Sequence, residues 1–135
     1  MKIYFAGSIR GGRDDKEVYR KIVNHLKKHG EVLTEHIGSQ DLSELGEKKS
    51  PQGVYQRDIA WIAEADFFIA DVSTPSLGVG YEIAKAEEMG KKILCLYYNG
   101  RDERISAMVK GNSNLTVKEY KNIEEAFSYI DDFLQ

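Results

Sequence analysis

Three short segments of this 135-residue chain carry side chains able to do chemistry. The first is Gly7-Ser8-Ile9-Arg10-Gly11-Gly12-Arg13. Its glycines let the backbone turn sharply and bring N–H groups close to a ligand. The Ser8 hydroxyl and the Arg10 guanidinium suit a phosphate. It is neither a Walker loop, since no Gly-Lys-Ser/Thr follows, nor G-x-G-x-x-G. An ordinary glycine-rich turn with a solvated arginine would read the same way. The second segment runs from Asp71 to Glu82, DVSTPSLGVGYE. Ser76 stands where a helix N-cap belongs, and Gly78 and Gly80 permit a ligand to approach the first turn. Glu82 falls about one and a half turns into that helix, near the positive end of its dipole, which favours the ionised carboxylate. Such a group can attack an electrophilic sugar carbon, or it can simply complement the dipole. The third is Asp58, on the flank of a helix between Tyr55 and Ile62. A second carboxylate at a cleft edge can handle protons; a solvated helix charge is the plainer alternative.

The elements that must position these residues follow from apolar spacing. Short apolar runs at Lys2–Ala6, Glu31–Thr34, Phe67–Val72, Ile93–Tyr98 and Leu115–Lys118 predict strands. Helical spacing predicts helices over Glu17–His29, Val54–Glu64, Leu77–Met89, Arg104–Val109 and Ile123–Leu134. On the second of these, Tyr55, Ile59, Ile62 and Ala63 form the apolar side. Ile37–Gln52 is polar and reads as a loop, and Pro51 and Pro75 fall where turns are expected. FFIADV and ILCLYY are too apolar for a sheet wet on one face. The economical answer is a single α/β domain over residues 1–135, with a roughly five-stranded parallel sheet flanked by helices, flavodoxin-like or Rossmann-like. Ligands of such folds bind beyond the carboxyl ends of the strands, which singles out the residues after Ala6, Val72 and Tyr98.

Composition narrows the function classes. With 19 Lys+Arg against 22 Asp+Glu, the net charge of −3 argues against a general nucleic-acid binder. No apolar run approaches the roughly 20 residues that cross a bilayer, and the N-terminus lacks the pattern of a secretory signal. A lone cysteine, Cys95, inside ILCLYY, reads as inert core and cannot make an intrachain disulfide. A soluble protein of a reducing, cytoplasmic compartment is expected. His25 and His29 are spaced i, i+4, but the intervening Leu26-Lys27-Lys28 supplies no catalytic Glu, His36 stands isolated, and nothing assembles a full ligand set, so no metal site is expected. Trp61 and the Tyr97-Tyr98 pair read as packing residues, and Glu124-Glu125 and Asp131-Asp132 as solvated faces.

YFAGSIRGGR at 4–13, LTEHIG at 33–38, the Asp58 helix, PSLGVGYE at 75–82, KKILCLY at 91–97 and RISAMVKG at 104–111 occur in order along nearly the whole chain. Together they resemble the 2′-deoxynucleoside 5′-monophosphate N-glycosidases of the nucleoside 2-deoxyribosyltransferase superfamily. The resemblance implies hydrolysis of a deoxynucleoside monophosphate to free base and 2-deoxyribose 5-phosphate, with no metal or organic cofactor. It implies that Glu82 is the catalytic glutamate, Asp58 the second carboxylate and Tyr4 the tyrosine of the motif. Ser8, Arg10 and Ser76 would bind phosphate, with help from Gly7, Ile9, Gly11 and Gly78 in the same two segments. Ser106 would reach that phosphate from the partner subunit of a homodimer. Asp71 stands where some relatives carry Glu.

An N-glycosidic bond breaks through a sugar with cationic character at C1′, and a 2′-deoxy sugar opposes that charge less. Glu82 can trap it as an ester that water cleaves, the retaining logic of two-carboxylate glycosidases. Asp58 can move the proton, and Tyr4 can orient Glu82 or a sugar hydroxyl. Arg10 and three serines suit a 5′-phosphate dianion, whereas a neutral 5′-hydroxyl would call for an acceptor. A base-exchanging 2-deoxyribosyltransferase and a nucleotide-binding module without turnover are the alternatives. A pure anion binder, though, gains nothing from two carboxylates beside its ligand.

Overall fold

The computed structural model describes residues 1–9, 13–38 and 50–135. Five strands form one sheet: β1 (Lys2–Ala6), β2 (Glu31–Val32), β3 (Phe67–Asp71), β4 (Lys92–Tyr98) and β5 (Thr116–Tyr120). They lie in the order β2-β1-β3-β4-β5, every pair parallel, as the apolar runs predict. Chain direction across the sheet reverses after β2, so the switch point falls between β1 and β3, where such folds bind ligands.

Side-chain alternation along the strands divides the core in two. Ile3, Phe5, Ile69, Leu94 and Leu96 face α1 (Arg13–Leu26) and α5 (Ile123–Phe133). Tyr4, Ala6, Phe68, Ala70 and Cys95 face α2 (Pro51–Glu64) and α3 (Leu77–Glu88). Burying each large apolar side chain here stabilises the fold by roughly 1.5–3 kcal/mol relative to exposure. Cys95 is buried, its thiol pushed up to about 12 by burial and by the nearby Asp71 carboxylate. No helix among the described residues is long and apolar enough to cross a membrane.

Element ends depart from the sequence reading for local reasons. Helix α1 starts at Arg13 rather than Glu17 and stops at Leu26, the residues before Gly30 forming a turn. It buries Tyr19, Ile22, Val23 and Leu26 along one side. Strand β2 is two residues long because Thr34 leaves the ladder. Its hydroxyl accepts from the Phe5 amide at 2.9 Å and donates to the Phe5 carbonyl at 2.6 Å. A 3-10 turn over Glu35–Gly38 opens the stretch expected to be loop, of which residues 39–49 lie outside those described. Helix α2 begins at Pro51, not Val54, since proline at the first helical position needs no N–H partner and Ser50 caps the turn. On α2, Ile62 is buried and Ile59 half-buried, but Tyr55 and Ala63 are exposed. Instead of one helix over Arg104–Val109 there is a 3-10 turn at Asp102–Arg104 followed by α4 (Ala107–Lys110). Strand β5 runs two residues beyond Lys118, to Tyr120.

Candidate active site

Alternation along β1 sends Tyr4 toward α2 and α3. Its ring stacks on Phe68, its neighbour in β3, with centroids 5.1 Å and planes 9° apart. The phenol emerges from this stack and donates a hydrogen bond to Oε2 of Glu82. Tyr4 is 1% exposed. Burial pushes its pKa well above the ordinary tyrosine value, and the charges of Glu82 and Asp58 push it further. Tyr4 therefore stays a donor at any physiological pH, and its phenol senses both carboxylates.

Helix α3 carries Glu82 to this point. Ser76 caps the helix, its Oγ accepting from the Val79 amide at 3.2 Å. Val79, Ile83 and Ala86 are buried against the sheet. Glu82 borders that buried stripe, and one turn earlier Gly78 keeps the approach open, since a Cβ there would meet just Ser76 Oγ at 3.8 Å. Asp58, Tyr4, Glu82, Gly7, Ile9 and Gly78 line one cleft of about 520 Å³. Three candidate catalytic residues from separate elements thus share a cavity at the switch point of the sheet.

The expected phosphate residues divide. Gly7 and Ile9 line the cleft, whereas Ser8 is buried and its amide donates to the Tyr19 phenol at 3.0 Å, which commits that amide to the fold. Arg10 and Gly11 lie outside the described residues. Ser76 and Ser106 line a second cavity, an apolar groove of about 690 Å³ between α3 and α4, and Tyr81 borders both cavities. Ser106 caps α4, its Oγ accepting from the Met108 amide at 3.1 Å. Beside it, Leu77 is 97% and Met108 83% exposed.

Other residues at the site escaped the sequence reading. Arg57 holds Oδ1 of Asp58 through Nε at 3.0 Å and Nη2 at 2.9 Å, with its guanidinium 4.7 Å from the Trp61 ring centre. Adjacent residues on a helix point about 100° apart, so spacing gives no sign of this pair. Tyr55 and Tyr81 meet edge to face at 6.4 Å on the cleft margin, and His36 lines the same cleft rather than standing alone. Two polar networks lie among residues that do not line the cleft. Thr74 donates to Asp15 of α1, and Arg101 donates to Thr74 at 3.1 Å. Asp71, at the end of β3, accepts from the Tyr120 hydroxyl at 2.6 Å and the Ser73 amide at 2.9 Å.

The family model for nucleoside 2-deoxyribosyltransferases matches residues 3–125. The chain belongs to that family. A 5-hydroxymethyl-dUMP N-hydrolase from Esox lucius is 46% identical to it, with 100% of this chain and 97% of that protein covered. A protein of the same name from Danio rerio is 41% identical, covering 100% and 96%. The solution structure of BlsM superposes with a TM-score of 0.78 at 26% identity, covering 98% of this chain and 88% of that one. As a member of the nucleoside 2-deoxyribosyltransferase family, the chain presents Tyr4, Asp58 and Glu82 in the crevice beyond β1 and β3.

Proposed function

We propose that the protein hydrolyses the N-glycosidic bond of 2′-deoxynucleoside 5′-monophosphates, releasing the free base and 2-deoxyribose 5-phosphate. The observation that carries this reading is the Tyr4–Glu82 hydrogen bond in a cleft that also holds Asp58. The names of the Esox lucius and Danio rerio relatives support the substrate class.

In this reading the Glu82 carboxylate attacks C1′ as the C1′–N bond breaks. The bonding electron pair leaves with the base, which takes a proton from Asp58, itself protonated beforehand from solvent, directly or through water. Water then attacks C1′ of the sugar ester, its proton passes to Asp58, and the Glu82 carboxylate is freed. Tyr4 is a positioning residue that fixes the direction of Glu82. The 5′-phosphate supplies remote binding energy that holds C1′ against the nucleophile, with Arg10 and Ser8 as its ligands from the turn after β1 and Ser76 from the neighbouring groove, two residues before the cleft-lining Gly78.

A homodimer completes the site. Leu77 and Met108 flank an apolar groove of a kind that soluble monomers rarely leave open. Covering it with a second copy would bring the partner subunit's Ser106 to the phosphate.

The test is a product assay over deoxy- and ribonucleotides with and without the 5′-phosphate. Base release confined to 2′-deoxynucleotides, and lost in Glu82→Ala, is the expected result. Incorporation of a labelled free base into nucleotide would favour the transferase instead. Binding without base release would favour the module without turnover.

A further inference from the structure

Away from the cleft, two helices on the other face of the sheet bring together side chains that sequence spacing leaves apart. His25 ends α1, and His29 lies one turn further along the chain. Asp131, in the last turn of α5, accepts or shares a proton at one oxygen with both: Oδ1 is 2.6 Å from His25 Nε2 and 2.8 Å from His29 Nε2. Asp131 is thus a partner of two imidazoles and not a purely solvated charge. The His25 ring is held flat against Phe127, one turn before Asp131, with centroids 4.1 Å and planes 3° apart.

We infer that His25, His29 and Asp131 form a binding site for a divalent transition metal of the zinc type, which would tie α1 to α5. The three ligand atoms lie within 4.8 Å of one another. A tetrahedral ion with bonds of about 2.0–2.1 Å takes this kind of nitrogen and carboxylate set and leaves a fourth position for water. Seating it asks the side chains to open slightly from their present hydrogen-bond distances. The local field favours a cation as well. The C-terminal ends of both helices add partial negative charge. Side-chain exposures of 13%, 30% and 45% for His25, His29 and Asp131 leave the ion a way in. Helix α1 is 14 residues long, or roughly 20 Å, which separates this site from the phosphate-side turn at its other end. The metal is therefore structural, and base release does not depend on it.

Thermal unfolding of the EDTA-stripped protein with zinc chloride tests this. At about 100 times Kd the midpoint should rise by roughly 5–10 °C. Cobalt chloride should give the intense visible bands of a tetrahedral centre. Both signals should vanish in His29→Ala and in Asp131→Asn, while base release by the stripped wild type stays unchanged. No rise in the midpoint, or a rise that persists in both variants, would overturn the site and leave the cluster as histidine–carboxylate hydrogen bonds.

Discussion

Gly7 lies directly beneath the ring of Tyr19: a Cβ at residue 7 would come within 2.7 Å of Cζ of that ring. Ring and turn are joined again by the hydrogen bond from the Ser8 amide to the Tyr19 phenol. Gly7→Ala should therefore cost about 1–3 kcal/mol, the usual range for overpacking. Paired with Tyr19→Leu, the two losses should sum to less than their separate values, since each relieves the other's cause. Urea denaturation of the single and double variants measures this, and strict additivity would rule out the contact as the reason for glycine.

Tyr4→Phe keeps the stack on Phe68 and removes the hydrogen bond to Glu82. A hydrogen bond to a charged group contributes about 1.5–3 kcal/mol, so kcat should fall roughly 10- to 100-fold. KM should move little, and the unfolding midpoint should stay near that of the wild type. A KM effect with kcat unchanged would count against Tyr4 acting through Glu82.

Leu77 and Met108 are exposed without serving the cleft of their own chain. Leu77→Asp with Met108→Asp should sediment as a 15.3 kDa monomer, whereas the wild type should sediment at twice that mass. Mixing the inactive Glu82→Ala and Ser106→Ala proteins under exchange should restore up to about a quarter of wild-type turnover, because half the chains pair unlike and one of the two sites in each such dimer is intact. Wild-type protein that sediments as a monomer, or mixtures that stay inactive, would remove the shared site.

Asp71 is 1% exposed, and burial raises its pKa from the ordinary carboxylate value despite the Tyr120 and Ser73 hydrogen bonds. The folded protein thus binds this proton more tightly than the unfolded chain. Stability from this group falls as pH rises from the unfolded value through the folded one. Relative to Asp71→Asn, the wild type should gain stability as pH drops from 7 toward 3.8, the ordinary aspartate value. Midpoints of both proteins across that range give the comparison, and a wild type that loses ground on acidification would contradict the sign.

What the sequence disclosed was chiefly local. Apolar runs such as FFIADV mark the strands, and Ser76 caps α3 as its position before an apolar-spaced stretch implies. Glu82 and Tyr4 were legible as candidates from the helix dipole and the family motifs. Glu82 was also one of the two groups that Tyr4 was expected to orient, and the phenol does donate to it; spacing could not choose between them, since 78 residues separate the pair. Spacing is equally silent on Asp131 against His25, and on Tyr120 against Asp71. Arg57 was hidden for the opposite reason: it sits next to Asp58 in sequence, where helical geometry turns adjacent residues to different faces, yet its guanidinium meets the Asp58 carboxylate. The separation of Ser76 and Ser106 from the cleft depends on where α4 packs, which a four-residue helix does not announce.

In an all-parallel sheet, no neighbouring strands can be joined by a tight hairpin, so every pairing waits for a whole helix to cross over. The Glu82 carboxylate and the Tyr4 phenol that donates to it come from opposite sides of the β1–β3 seam. Catalytic competence is consequently a late event for the nascent chain, withheld until most of the polypeptide has left the ribosome and closed on itself.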